Sequence, residues 1–150
     1  MGRTACRRAG HAVWIALAVL LAPGPIAAQS PVTFKVIVNT RIVGGRMARN
    51  VLSDIFLGKA THWEKGLPIA PVDQSAIAPV RAGFSQEILG QAVMAVQSYW
   101  NRQILRGGRP PPVKDSDQEV IRYVRSIPGG IGYVGAEAEL PSGVKVIEVE

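Results

Sequence analysis

The residue types that most often carry catalysis are sparse in this chain of 150 residues. It has two histidines and one cysteine. A single cysteine excludes both a disulfide framework and a Cys-rich zinc site. Removal of the first 28 residues would leave His62 as the one histidine and no cysteine, so His62 is interpreted as a surface histidine rather than a general base. Ser75 and Ser98 lack the Gly-x-Ser-x-Gly context of hydrolases, and the four aspartates lack the spacing of a metal cage. We therefore predict no enzyme activity, no metal and no cofactor.

The segment from Val72 to Arg81 is the best candidate for chemistry, and that chemistry is anion binding. It joins the end of an apparent strand to the start of a helix, where free backbone amides carry a partial positive charge. Pro79 suits the first helical turn, and Arg81 in the same turn can clamp an anion. The alternative is a solvent-facing arginine on an ordinary helix. The predicted ligand contacts are Gln74, Ser75, Ala78, Val80 and Arg81, with backbone amides of residues 77 to 80 contributing.

The elements that position this segment are read from hydrophobic periodicity and breakers. Alternation predicts strands, spacings of three and four predict helices, and glycine and proline end them. Strands separated by helices predict an α/β domain with a three- to four-stranded sheet flanked by helices. The predicted order is a strand at Thr33–Val38, a helix from Arg46 ending near Gly58, an edge strand at Leu67–Val72, two helices between Pro79 and Leu105, a helix after Ser116, and strands at Ile131–Val134 and Val144–Val149.

Two local patterns surround the last predicted helix. Ser116 and Glu119 have the spacing of a capping box, which favours a helix start. The glycine cluster from Gly129 to Gly132 superficially resembles a phosphate-cradling loop, but it lies between a helix and a strand, whereas a dinucleotide loop needs a strand followed by a helix. We interpret these glycines as a helix stop and a site of close packing.

The first 28 residues have the pattern of a secretory signal peptide. Arg3, Arg7 and Arg8 precede an uncharged apolar run from residue 12 to residue 22, which is followed by a proline break and small residues. The run is shorter than the roughly 20 residues that cross a bilayer, although an uncleaved anchor is the alternative. Cleavage after Ala28 would leave residues 29–150 as one domain and would remove three of the net positive charges, which weakens any case for nucleic-acid binding. A periplasmic location is expected, by either the general or the twin-arginine route.

Two segments resemble the phosphate-binding proteins of ABC transporters. Leu52–Trp63 resembles their L-x-x-I-F-x-G-K-x-x-x-W segment, and Tyr123–Val134 resembles their V-x-x-x-P-G-A-I-G-Y-V signature. Their order and separation also fit that family. The resemblance implies a fold of the periplasmic-binding-protein kind, whose two lobes close on the ligand, with a phosphate or similar oxyanion as ligand and a membrane transporter as partner. Because two lobes need roughly 200 residues or more, residues 29–150 are expected to form a single lobe.

The resemblance also implies where the ligand would lie. Family members carry an R-x-x-x-S-G-T segment between a strand and a helix, and its position corresponds to residues 74–80 here. Gln74 stands at the arginine and Ala78-Pro79-Val80 stand at Ser-Gly-Thr, so only Arg81 offers a positive charge. A domain that keeps the fold as an interaction or scaffold module without a ligand is therefore the competing hypothesis, and an exported enzyme is a third. A lobe with half a cleft would need a second copy of the chain or a membrane partner to cover the ligand.

Overall fold

The computed structural model describes residues 33–150, and the predicted signal peptide lies outside them. Strands and helices alternate along the described chain, which confirms the α/β class. The strands are β1 (Phe34–Asn39), β2 (Arg46–Met47), β3 (Ala70–Pro71), β4 (Asp73–Gln74), β5 (Val113–Lys114), β6 (Gly130–Gly135) and β7 (Val144–Val149). The helices are α1 (Arg49–Phe56), α2 (Pro79–Phe84), α3 (Val93–Ile104) and α4 (Asp117–Ser126), with a 3₁₀ turn at Glu64–Gly66 and a π-helical turn at Ser85–Leu89.

The main sheet has five strands in the order β2-β7-β1-β6-β3. Strand β1 lies at its centre, antiparallel to both β6 and β7. The two-residue strands β2 and β3 pair in parallel at the two edges. Strand β3 lies within the predicted edge strand, and β2 is the fifth strand that the prediction lacked. Pro71 lies in the edge strand β3, as predicted from its inability to donate a ladder hydrogen bond. Strands β4 and β5 form a separate parallel pair.

The core lies on both faces of the sheet. In β1 the side chains of Val36 and Val38 join one apolar cluster with α1, α2 and α3, and Ile37 joins the other with α4. This is the alternation expected of a strand covered on both sides. Within the first cluster the rings of Phe84 and Tyr133 stack with their centroids 3.8 Å apart. That stack fixes the tyrosine ring of β6 against the end of α2.

The local predictions at the helix ends are largely confirmed. Gly58 follows α1 with a positive φ of 70°, and the hydroxyl oxygen of Ser116 accepts a hydrogen bond from the amide of Glu119 at 3.3 Å. The carboxylate of Glu119 accepts from the amide of Asp115 at 3.0 Å, one residue before the expected donor. Met47 was expected on the helix, but it pairs with β7 through backbone hydrogen bonds, and α1 begins two residues later.

The glycine cluster after α4 is a close-packed link between helix and strand, as predicted. A Cβ added at Gly129 would lie 1.9 Å from the carbonyl oxygen of Pro68, and one added at Gly130 would lie 2.7 Å from that of Val124. None of the helices in residues 33–150 combines the length and apolarity that crossing a membrane requires.

Candidate anion-binding site

A buried ion pair lies where β4 gives way to α2. The Nη1 atom of Arg81 lies 2.9 Å from the Oδ1 atom of Asp73, and the two side chains are only 5% and 10% exposed. Asp73 belongs to β4, and Arg81 belongs to the first turn of α2. The sequence places Arg81 correctly beside the strand-to-helix turn, but the nearest anion is the protein's own carboxylate.

The carboxylate of Asp73 has two further donors. The hydroxyl of Tyr133 and the backbone amide of Gln74 both donate hydrogen bonds to its Oδ1 atom, the second at 2.8 Å. Burial raises the pKa of Asp73, while the charge of Arg81 and these hydrogen bonds oppose that rise. Because Asp73 is held by three groups, Arg81 is not its sole support.

The guanidinium of Arg81 retains donor capacity. Its Nη1 atom is buried and donates no hydrogen bond within residues 33–150, so its contact with Asp73 is an ion pair without an aligned N–H···O geometry. A guanidinium carries five N–H donors, and burying an unsatisfied polar group costs free energy. The guanidinium therefore has N–H groups besides the one that faces Asp73, and these can donate to an acceptor from outside the described chain.

A cavity of about 270 Å³ borders this arginine. Residues of β4, of α2 and of the turn between them line one part of it, and residues of α3, of β5 and of the segment before β5 line the rest. The lining residues are Asp73, Gln74, Ala76, Arg81, Gln97, Trp100, Asn101, Ile104, Pro110, Pro111 and Val113. The cavity thus combines a buried positive charge with an apolar wall.

The turn between β4 and α2 leaves several backbone amides without a carbonyl partner among the described residues. Within residues 33–150 no backbone carbonyl accepts from the amides of Ala76, Ile77 or Val80. In contrast, the amide of Ser75 donates to Lys114, and that of Ala78 donates to Ser75, each at 2.9 Å. Of these three residues Ala76 lines the cavity, and an unpaired amide beside a buried arginine suits an oxyanion.

The fold has clear counterparts among solved structures. An ABC-type phosphate transport receptor from Vibrio cholerae superimposes with a TM-score of 0.62 at 18% identity, over 77% of this chain and 45% of the receptor. A phosphate ABC transporter substrate-binding protein with bound phosphate from Clostridium perfringens gives 0.62 at 19% identity, over 77% and 44%. PstS from Borrelia burgdorferi gives 0.61 at 17% identity, over 78% and 47%.

The fold is that of the phosphate-binding proteins of ABC transporters. The chain spans less than half the length of each of these three structures. No protein-family model and no curated protein matches the sequence. The likeness therefore lies in the backbone arrangement, and the chemistry of the site depends on the residues of this chain.

The predicted ligand contacts differ in their burial and in the hydrogen bonds that they already make. The side-chain nitrogen of Gln74 donates to Asp117 at 2.7 Å and to the carbonyl of Tyr133 at 3.0 Å, so both of its hydrogens are used inside the protein. Its contact with an anion remains a prediction that would require those bonds to open. Ser75 is half-buried beside the turn, and Val80 contributes an unpaired amide.

Ala78 and His62 already have hydrogen-bond partners within the chain. The amide of Ala78 is already hydrogen-bonded to Ser75, so among the predicted amide contacts it is the one that is occupied. His62 is exposed and lies 2.9 Å from the hydroxyl of Thr61, which agrees with its interpretation as a surface residue.

The sequence alone did not identify Tyr133, Trp100 or Asp117 as part of this site. Each comes from a separate element and reaches the site only through the tertiary fold. Asp73 could have been identified from the sequence, because it precedes the strand-to-helix turn and Arg81, which has the opposite charge, follows it. The structure shows that this pair belongs together.

Substitution of Tyr133 by phenylalanine tests the polar network at alkaline pH. Burial raises the pKa of Tyr133 above its ordinary value of 10.0, and the charge of Asp73 raises it further. The stability that this group contributes is present in full below pH 10 and is lost as the pH rises toward the folded pKa, because only the unfolded chain releases the proton. For one such group the free energy of unfolding falls by about 1.4 kcal/mol per pH unit.

Urea unfolding of both proteins between pH 7 and 11 measures this effect. Tyr133→Phe should be about 1–3 kcal/mol less stable at pH 7, because Asp73 and the amide of Gln74 lose a hydrogen-bond partner. Its stability should then fall less steeply above pH 10 than that of the parent. Parallel alkaline curves would contradict a buried, proton-retaining tyrosine.

Proposed function

We propose that this protein is an exported solute-binding protein of an ABC transport system, and that it binds phosphate or a similar small oxyanion beside Arg81. The observation that carries the proposal is a buried arginine at the edge of a cavity, whose guanidinium has five N–H donors and one ionic partner within residues 33–150, Asp73. The backbone fold supports it, since solved structures with this fold include a phosphate transport receptor.

The charges around the site favour anion binding of modest affinity. Asp73 neutralises part of the charge of Arg81 at 2.9 Å, so the anion meets a guanidinium that already has one ionic partner. The amides of Ala76, Ile77 and Val80 add partial positive charge without a carboxylate of their own. We expect binding that is measurable but weaker than that of a site built on an unpaired arginine.

Export and delivery belong to the same proposal. The signal-like pattern of residues 1–28 would direct the chain to the periplasm, where an ABC transporter would receive the bound anion. The cavity is open on one side, and either that transporter or a second copy of the chain would close it. Nucleic acid is not a proposed partner.

Thermal unfolding of the protein with added sodium phosphate or sodium sulfate tests the proposal. An anion that binds only the folded state should add about 2.7 kcal/mol of stability at a concentration 100 times its dissociation constant. Ala76→Glu should abolish this gain, because Ala76 lines the cavity and the new carboxylate would repel the anion. Ala95→Glu makes the same charge change at an exposed position of α3 outside the cavity lining and should keep the gain. Equal stabilisation of both variants, or none of the parent, would overturn the proposal.

An interaction module that keeps the fold without a ligand is the second candidate. The internal neutralisation of Arg81 by Asp73 favours it, and so does the absence of hydroxyl groups from Ala78-Pro79-Val80. This candidate predicts that phosphate and sulfate leave the unfolding temperature unchanged. It also predicts that periplasmic partners are captured in equal amounts with and without phosphate.

A further inference from the structure

We infer that the ligand of this site is an organic oxyanion, a phosphoryl or phosphonyl group that carries a small apolar substituent, rather than the bare inorganic ion. The inference rests on the proposed function, because it assumes that the oxyanion lies beside Arg81. It goes beyond that function by naming what fills the rest of the cavity.

The size of the cavity is the first argument. Its volume of about 270 Å³ is close to the lower end of the roughly 300–1,000 Å³ that is typical of small-molecule sites. A water molecule takes about 30 Å³ of the liquid, so a five-atom tetrahedral anion would occupy a minor part of the space. The remainder has room for a substituent of several heavy atoms.

The distribution of polarity is the second argument. The charged groups, Asp73 and Arg81, belong to β4 and α2. The apolar lining comes from other segments, namely Trp100 and Ile104 of α3 together with Pro110, Pro111 and Val113. An inorganic ion gains nothing from such a wall. An apolar substituent attached to the anion would pack against the wall, and both apolar surfaces would be removed from water.

The side of α3 that lines the cavity has uncovered apolar surface and an unpaired polar group, which is the third argument. Ile104 is 50% exposed although it lines the cavity, so it has apolar surface left to cover. The indole N–H of Trp100 is buried and has no acceptor within residues 33–150. The amide side chains of Gln97 and Asn101, one helical turn apart, also line this wall and can fix the orientation of a substituent. These features are typical of a ligand site that is mostly apolar with a few polar groups.

Calorimetric titration of the protein with sodium phosphate, methylphosphonate, phenylphosphonate and phenyl phosphate tests the inference. We expect phenylphosphonate to bind at least tenfold more tightly than inorganic phosphate, with methylphosphonate between them. Phenyl phosphate distinguishes a phosphate ester from a phosphonate as the preferred linkage, and tighter binding of either phenyl compound supports the organic substituent.

A matched pair of variants locates the substituent. Ile104→Ser should remove most of the gain from the phenyl group, so that the ratio of the affinities for phenylphosphonate and inorganic phosphate falls toward one. Leu105→Ser changes the neighbouring residue, which is 88% exposed and outside the cavity lining, and should behave like the parent. A gain that survives Ile104→Ser would overturn the placement of the substituent against α3. Inorganic phosphate binding as tightly as both phenyl compounds would overturn the inference and leave the proposed function intact, whereas no heat from any of the four anions would overturn both.

Discussion

Replacement of Arg81 by methionine should abolish anion binding and lower the free energy of unfolding by about 3 kcal/mol at neutral pH. Removing one partner of a buried ion pair leaves the other as an uncompensated charge, which typically costs 3–5 kcal/mol. The lower end is expected here, because Tyr133 and the amide of Gln74 still donate to the carboxylate of Asp73. Urea unfolding measures the stability, and calorimetry with sodium phosphate measures the binding.

The double variant Asp73→Asn, Arg81→Met separates the two roles of the arginine. Without the carboxylate charge the structural penalty should largely disappear, because no buried ion is left without a partner. Anion binding should stay absent, because the guanidinium is the group that attracts the ligand. If Arg81→Met bound phosphate as well as the parent, or if the double variant regained binding, the assignment of Arg81 as the ligand contact would be wrong.

Replacement of Gly129 by alanine should destabilise the protein by more than about 3 kcal/mol. Overpacking typically costs 1–3 kcal/mol when side chains can move aside. Here the added Cβ would lie 1.9 Å from the backbone oxygen of Pro68, which has no such freedom. The carbonyl of Gly129 also accepts hydrogen bonds from the indole of Trp63 at 3.0 Å and from the amide of Ala70 at 2.9 Å, and any shift would strain both.

Thermal unfolding checks this expectation against a matched glycine. Gly45 has no atom within 4 Å of an added Cβ and no positive φ, so Gly45→Ala should change the midpoint temperature only slightly. For a domain of about this size, 3 kcal/mol corresponds to a fall of roughly 10 °C or more. A similar midpoint for both variants would mean that the link between α4 and β6 is looser than the structure shows.

The parts of the fold that the sequence predicts are those with local causes. Strand β7 begins at Val144 and ends at Val149 as predicted, because β-branched alternation is contained within the strand itself. The helix after Ser116 follows from a capping box only four residues long. Strand β2 lacked such a signal, since its two residues are extended only because β7 offers them a partner about a hundred residues later.

In the candidate site, too, the features with local causes could be predicted from the sequence and those with non-local causes could not. The position of Arg81 in the first turn of a helix follows from the nearby proline and strand end, and the structure confirms it. The hydroxyl of Tyr133 that holds Asp73 comes from 60 residues away, and the carboxylate that holds Gln74 comes from 43 residues away. Such pairings depend on the stacking of β6 against α2 and α4, which no local pattern encodes.

A ¹⁵N nuclear magnetic resonance titration with sodium phosphate and with phenylphosphonate tests the central claim most directly. It follows the backbone amides of Ala76, Ile77 and Val80 together with the side-chain Nε–H of Arg81. An oxyanion bound beside Arg81 predicts that these four signals shift together and saturate with a single dissociation constant for each anion. If they stay fixed at millimolar anion while the rest of the spectrum is unchanged or shifts elsewhere, the protein does not hold an oxyanion at this turn.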